Sequence, residues 1–212
     1  METTLTIQKK QGYALIFSAI CIGIIYQLLP HLTSNASLLQ IVGTFFNAVL
    51  MGIFIYFILK KEFWEWFKHF SFKWTLIGIP LLLIVGTIAG ILWNAVAGGR
   101  VENSVDAVLS WSYILENIPF MLLGEELLCI SILYGAWKKL NLPFWQATLI
   151  CSILFAVWHL PAYGFNLLQC LVTIIPSRLV LNGLFKKTNS IWVTFIVHLA
   201  FDIFSFLPIL LK

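Results

Sequence analysis

Six ionisable side chains lie inside stretches otherwise fit for lipid. They are Glu125 and Glu126 in FMLLGEELLCISIL, His159 in FAVWH, Arg178 in IIPSRLVLNG, and His198 with Asp202 in HLAFD. Charge at the centre of a bilayer is expensive, and chains that keep it use it for a proton, an ion, a substrate or a partner charge. His198 and Asp202 are four residues apart, so on a helix they share a face, as do Phe155 and His159. Glu125 and Glu126 differ by about 100° around a helix and cannot aim at one spot.

A Glu beside a His, away from bulk water, can activate a water molecule as general base. A second His can hydrogen-bond the oxyanion that develops when that water attacks a carbonyl. The inventory therefore points to hydrolysis of a peptide or ester bond. Two His with carboxylates could instead hold a zinc ion, a weaker alternative because the H-E-x-x-H spacing is absent, and no metal ligand is assigned. A lone intramembrane His is often only a hydrogen bond between helices. Packing of that kind is supplied more cheaply by Ser, Thr or Asn, and three segments contributing Glu, His and His-x-x-x-Asp together point to a functional cluster. Glu126, turned away from Glu125, needs a cation, and Arg178 is the basic side chain left at membrane depth.

The elements that must position these groups are membrane helices. The chain of 212 residues is 60% hydrophobic and 10% charged, with a mean hydropathy of +0.94, against about 25% charged residues in soluble domains. Its net charge of +4 comes from short basic clusters between apolar runs, the pattern of topology signals and not of nucleic-acid binding. The four cysteines, Cys21, Cys129, Cys151 and Cys170, lie in apolar runs without CxxC spacing and read as small packing residues. Apolar segments at 12–30, 37–59, 74–97, 119–137, 143–159, 165–185 and 190–211 each approach the ~20 residues of a spanning helix. The first is read as a retained helix, since it exceeds the usual ~7–15 residues of a signal-peptide core. The expectation is an all-α polytopic membrane helix bundle with about seven transmembrane helices, a single domain over 1–212 whose motif-bearing core is 119–202.

Alternate loops divide the basic residues unevenly. Lys9, Lys10, Lys60, Lys61, Lys68, Lys73, Lys138, Lys139, Lys186 and Lys187 fall on one side, Arg100 and Lys212 on the other. Cytoplasmic loops carry the excess, so a multi-pass protein of the cell membrane is expected, with its amino terminus in the cytoplasm and its carboxyl terminus outside. The stretch KKEFWEWFKHFSFKW (60–74) reads as an interfacial helix on the cytoplasmic side, and GGRVENSVD (98–106) as a polar outer loop.

EELLCI (125–130), FAVWH (155–159) and HLAFD (198–202), in this order on three hydrophobic segments, resemble the three motifs of the CAAX protease and bacteriocin-processing family, the Abi or Rce1-type glutamate intramembrane proteases. KKTNSIWVTFIVH (186–198) resembles the family's approach to its third motif. The resemblance implies that Glu125 and His159 activate the water and that His198 and Asp202 bind the oxyanion. It also implies type II CAAX endopeptidase activity or, in small bacterial members, bacteriocin maturation or self-immunity. Two positions depart from the pattern. The first motif usually continues Glu-Glu-x-x-x-Arg, and here that arginine is Ile130; the third often ends in Asn, and here it is Asp202. Arg178 is expected to replace the missing arginine from another helix, pairing with Glu126 and holding Glu125 in place.

The function expected is an intramembrane endopeptidase acting on a hydrophobic or lipidated peptide or protein, among membrane lipids, with no cofactor. A non-catalytic immunity protein binding a peptide or partner is the alternative that Ile130 suggests. A proton-coupled transporter lacks the repeated halves and broken helix pairs it would need. Counting ~1.5 Å per residue from the cytoplasmic ends puts His198 about 12 Å deep, Glu125 about 19 Å and His159 about 22 Å, an offset that helix tilt must close.

Overall fold

The computed structural model describes residues 2–211, with side chains from residue 5. Lys212, assigned above to the outer face, lies outside the described residues. Nine α-helices run α1 Glu2–Leu32, α2 Ala36–Leu59, α3 Lys61–Lys68, α4 Phe72–Ala97, α5 Trp111–Glu116, α6 Ile118–Tyr134, α7 Phe144–Trp158, α8 Leu167–Thr188 and α9 Ile191–Leu210, with no strand among the described residues. Short polar residues start them. The side chains of Asn35, Ser71, Ser110, Asn166 and Ser190 each accept a hydrogen bond from a backbone N–H in the first turn that would otherwise go unpaired. Gly98 and Asn189 end α4 and α8 in the left-handed region, with φ of 70° and 48°.

Six helices are long and apolar enough to cross a membrane: α1, α2, α4, α6 with the π-turn that extends it to Lys139, α8 and α9. The fifth apolar segment, α7, is shorter. Its 15 residues span about 22 Å at 1.5 Å per residue, less than the ~30 Å hydrocarbon core. Pro161 and Gly164, the latter at φ 56°, turn the chain through a 3-10 turn at Pro161–Tyr163, because neither residue favours continuing the helix. His159 therefore caps the end of α7 within the bundle.

Successive apolar helices alternate in direction, and this gathers the ten lysines at one end. Lys139 Nζ bonds Gln11 of α1 at 3.0 Å and Glu62 of α3 at 2.7 Å, joining three elements there. Ser190 bonds the carbonyl of His69, and Lys186 lies 4.3 Å from the Phe144 ring centre. The aromatic stretch 60–74 forms the interfacial-type helix α3, but two of its rings, Phe63 and Trp66, point into the protein and are buried, while Trp64 is exposed. The main core fills the lysine end. Trp66 packs on Tyr134 and Phe185 at 5.2 and 5.8 Å, amid Leu15, Met51, Ile55 and Ile191.

Helix α6 lies at the centre, against α1, α2, α7 and α9. It comes close to α2 at Gly124, where an added Cβ would lie 2.7 Å from the Cβ of Asn47 and 2.8 Å from the backbone nitrogen of Ala48. Small residues at such crossings let membrane helices meet backbone to backbone. This one fixes the turn that carries both glutamates.

Candidate active site

Glu126 is wholly buried and takes three hydrogen bonds. Arg178 of α8 grips it with both guanidinium nitrogens, Nη1 to Oε1 at 2.6 Å and Nη2 to Oε2 at 3.1 Å. His198 of α9 donates from Nδ1 to Oε1 at 2.9 Å. A carboxylate can only accept, so the proton of that bond belongs to the imidazole, and Nε2 is the nitrogen left over. Arg178, also wholly buried, spends its Nε on Asn182 Oδ1 at 2.9 Å. Asn182 in turn donates to Thr148 Oγ1 at 2.8 Å, which ties α7 into the network. Four helices thus converge on a single carboxylate, and the bidentate fork gives the pairing its orientation as well as its strength.

The i,i+4 spacing suggests Asp202 as the carboxylate that orients His198, yet Asp202 Oδ1 lies 3.9 Å from Nε2, beyond hydrogen-bond range. Glu126 holds the ring instead. Side chains four apart share a face but are not obliged to touch, whereas α6 packs directly on α9 and brings Glu126 to the other nitrogen.

Glu125, one residue earlier, has the opposite environment. It is half-buried, makes no hydrogen bond or ion pair among the described residues, and faces a cavity of about 1000 Å³. His159, His198 and Asp202 line the same cavity, so the depth offset counted along the sequence is closed by the short α7 and the turn after it. The His159 Nδ1–H donates to the carbonyl of Phe155 at 2.8 Å, which leaves Nε2 as its basic nitrogen. Phe155 spaces the two imidazoles: its ring lies 4.5 Å from His159 and 6.1 Å from His198, with the Arg178 guanidinium 5.5 Å away. Among the described residues, no group of three or more His, Cys, Asp or Glu side chains is arranged to hold a metal ion.

At the mouth, the amide of Gln169 pairs with both backbone groups of Val101, accepting from its N–H at 2.8 Å and donating to its carbonyl at 2.7 Å. Asn103 bonds the hydroxyl of Tyr163 at 3.4 Å. Burial pushes the Tyr163 phenol up to about 12, so it stays protonated at neutral pH, and burial also raises the carboxyl of nearby Asp106. Four buried polar side-chain atoms have no partner among the described residues, and three of them, Asn47 Oδ1, Trp93 Nε1 and Ser177 Oγ, belong to residues that line this cavity. Sequence reasoning overlooked these three, and Asn182 and Thr148 as well. Only Asn182 carried a signal, lying four residues after Arg178 on the same helix face.

Fold and site define a polytopic helical membrane protein with a paired and an unpaired carboxylate beside two histidines. Residues 107–204 match the family model described as type II CAAX prenyl endopeptidase Rce1-like. That segment carries all three motifs, so the match falls on the family of intramembrane endopeptidases that they resemble. No curated protein and no solved structure matches the chain.

Proposed function

We propose that the chain is a membrane-embedded endopeptidase in which Glu125 activates the hydrolytic water. The observation that supports this most is the division of labour between adjacent glutamates. Glu126 is spent on Arg178 and His198, while Glu125 faces the cavity with its oxygens unengaged. Glu125, with His159 lining the same cavity, takes the proton as water adds to the scissile carbonyl. The oxyanion is met by His198, whose ring Glu126 holds with Nε2 left over, and Asp202 adds a donor there only with its carboxyl protonated, since a carboxylate can only accept. An imidazolium between Glu126 and Asp202 would donate from that nitrogen. The tetrahedral intermediate then breaks its C–N bond, and the proton first taken from water goes to the leaving amine, which restores both bases.

The substrate class is a hydrophobic peptide. Extended peptide backbone offers alternating donors and acceptors, and the cavity sets the polar residues Asn47, Trp93 and Ser177 among apolar walls such as Leu82, Leu122 and Phe201. Maturation of a membrane-active bacteriocin is one cleavage of that kind. The test uses membranes bearing wild type or Glu125→Gln, incubated with a panel of hydrophobic peptides and read by mass spectrometry. Wild type alone is expected to yield products. Equal products from both would remove Glu125 from the mechanism, and none from either would favour a binding or immunity role.

A further inference from the structure

Cavity and lysines occupy opposite ends of the protein. The elements that line the large cavity do so with their loop-end portions: Gly23 to Pro30 of α1, Leu39 and Asn47 of α2, Leu82 to Asn94 of α4, and α6 no further along than Leu128. On α8 and α9 the lining begins at Leu181 and His198 and runs away from the lysines. A second cavity of about 560 Å³ adjoins it at that same end and shares Tyr26, Gln27, Tyr113 and Met121. No residue of the lysine-bearing end lines either cavity among the described residues.

That end is also closed. Ser131, Ile132, Leu133 and Ala136 continue α6 below the glutamates and are buried, and Trp66 and Phe185 stop the centre between them. The amphipathic α3 lies across it, held by the contacts of Lys139 with Glu62 and of Trp192 Nε1 with the carbonyl of Phe67. The loop end, by contrast, presents polar groups around the cavity: Arg100, Asn103, Ser104, Tyr163 and Gln169.

Ten lysines against one described arginine assign the lysine end to the cytoplasm by the positive-inside rule. Combining this with the one-ended cavity, we infer that the active site opens to the extracytoplasmic face alone, so that its substrate is a peptide segment presented from outside the membrane. The inference rests on the endopeptidase reading for its chemistry and on the lysine distribution for its direction. It narrows the substrate class. A chain end prenylated in the cytoplasm would meet the sealed face, whereas a translocated peptide, or the outer flank of a membrane protein, meets the mouth. The two adjoining cavities give such a segment an extended course past Tyr26 and Tyr113 toward Glu125.

Labelling with a membrane-impermeant maleimide tests access without any need for catalysis. Thr87→Cys in the cavity wall and Asn103→Cys at the mouth are compared with Lys186→Cys at the other end. Wild type sets the background, since three of its four cysteines are buried and Cys21 is half-buried. In intact cells Thr87→Cys and Asn103→Cys are expected to label at least tenfold above wild type and Lys186→Cys at background, with the order reversed in inverted vesicles. Labelling of Thr87→Cys in inverted vesicles only, or equally in both, would overturn the inference. Hydrophobic peptides are then offered to each face, free or fused after a helix that ends outside, which separates a released from a tethered source. Cleavage from the outer face supports the proposal, and cleavage of a farnesylated peptide from the lysine face overturns it. Outward labelling with no cleavage from either face supports the access and overturns the hydrolysis.

Discussion

Arg178→Met isolates the contribution of the buried fork. Methionine keeps much of the length of the arginine stem, so the cavity left behind is small, but both hydrogen bonds to Glu126 and the one to Asn182 disappear. Glu126, wholly buried, keeps only His198. Hydrogen bonds to charged groups contribute about 1.5–3 kcal/mol each, and breaking a buried pair by removing one partner costs about 3–5 kcal/mol. In a membrane the unfolded helices stay inserted and find other partners, which lowers such values, so about 3 kcal/mol is expected. For a chain of this size that corresponds to a fall in Tm of about 6–12 °C, read by thermal unfolding in detergent. Glu126→Leu in the same background removes the stranded carboxylate and should recover most of the stability. It should not recover cleavage, because His198 has then lost the group that fixes its ring. Adding Ile130→Arg to Arg178→Met instead places a cation one turn along α6 from Glu126 and should recover part of both. A Tm for Arg178→Met within about 1 °C of wild type, or strictly additive losses in the double variant, would refute the reasoning.

Asp202→Asn is expected to keep or raise the cleavage rate, because the amide supplies the N–H that a carboxylate lacks, while Asp202→Ala loses much of it; an Asn variant as slow as the Ala variant would show that the charge matters. Gly124→Ala forces its new methyl against the backbone of α2 and should lower stability by about 1–3 kcal/mol together with activity, measured as Tm and rate on one sample. Asn47→Leu and Ser177→Ala remove unpartnered polar atoms from the cavity wall, and a severalfold rise in KM with little change in kcat is expected from steady-state kinetics if they bind substrate backbone. His159→Ala should abolish cleavage with Tm nearly unchanged, since the ring's one hydrogen bond is to a carbonyl at the helix end; a large loss of Tm would make it structural.

The helices were legible because spanning segments announce themselves by length and apolarity, and the boundaries of α2, α4, α8 and α9 lie within a few residues of the apolar runs. The limits of α7 were legible too, Phe144–Trp158 against an apolar run at 143–159; that so short a helix ends inside the bundle, with the packed turn at Pro161–Tyr163 placing His159 on the cavity, was not. The contact of Glu126 with Arg178 could be reasoned from the sequence, because an unpaired carboxylate in a low-dielectric interior needs a cation and few are within reach. The anchoring of His198 could not. Proximity along the chain pointed to Asp202, and the partner that holds the ring comes from another helix, through packing at Gly124 and along α6 that no local spacing encodes. The unpartnered Asn47, Trp93 and Ser177 were equally invisible, because a polar residue on an apolar helix does not disclose whether it faces a neighbour or a cavity.

The tie at the mouth has a consequence for how this protein can change. Gln169 grips residue 101 by its main chain, so it reads the position of the loop and not its spelling. Loops between residue 98 and α5 can therefore differ in composition, and one can be exchanged for another, while the register against α8 survives. Gln169 has no such freedom: its two bonds need both ends of an amide at the length of a glutamine, and it is nearly fully buried. Specificity can be rewritten at the rim by drift or by grafting, while the chemistry a few turns below is left alone.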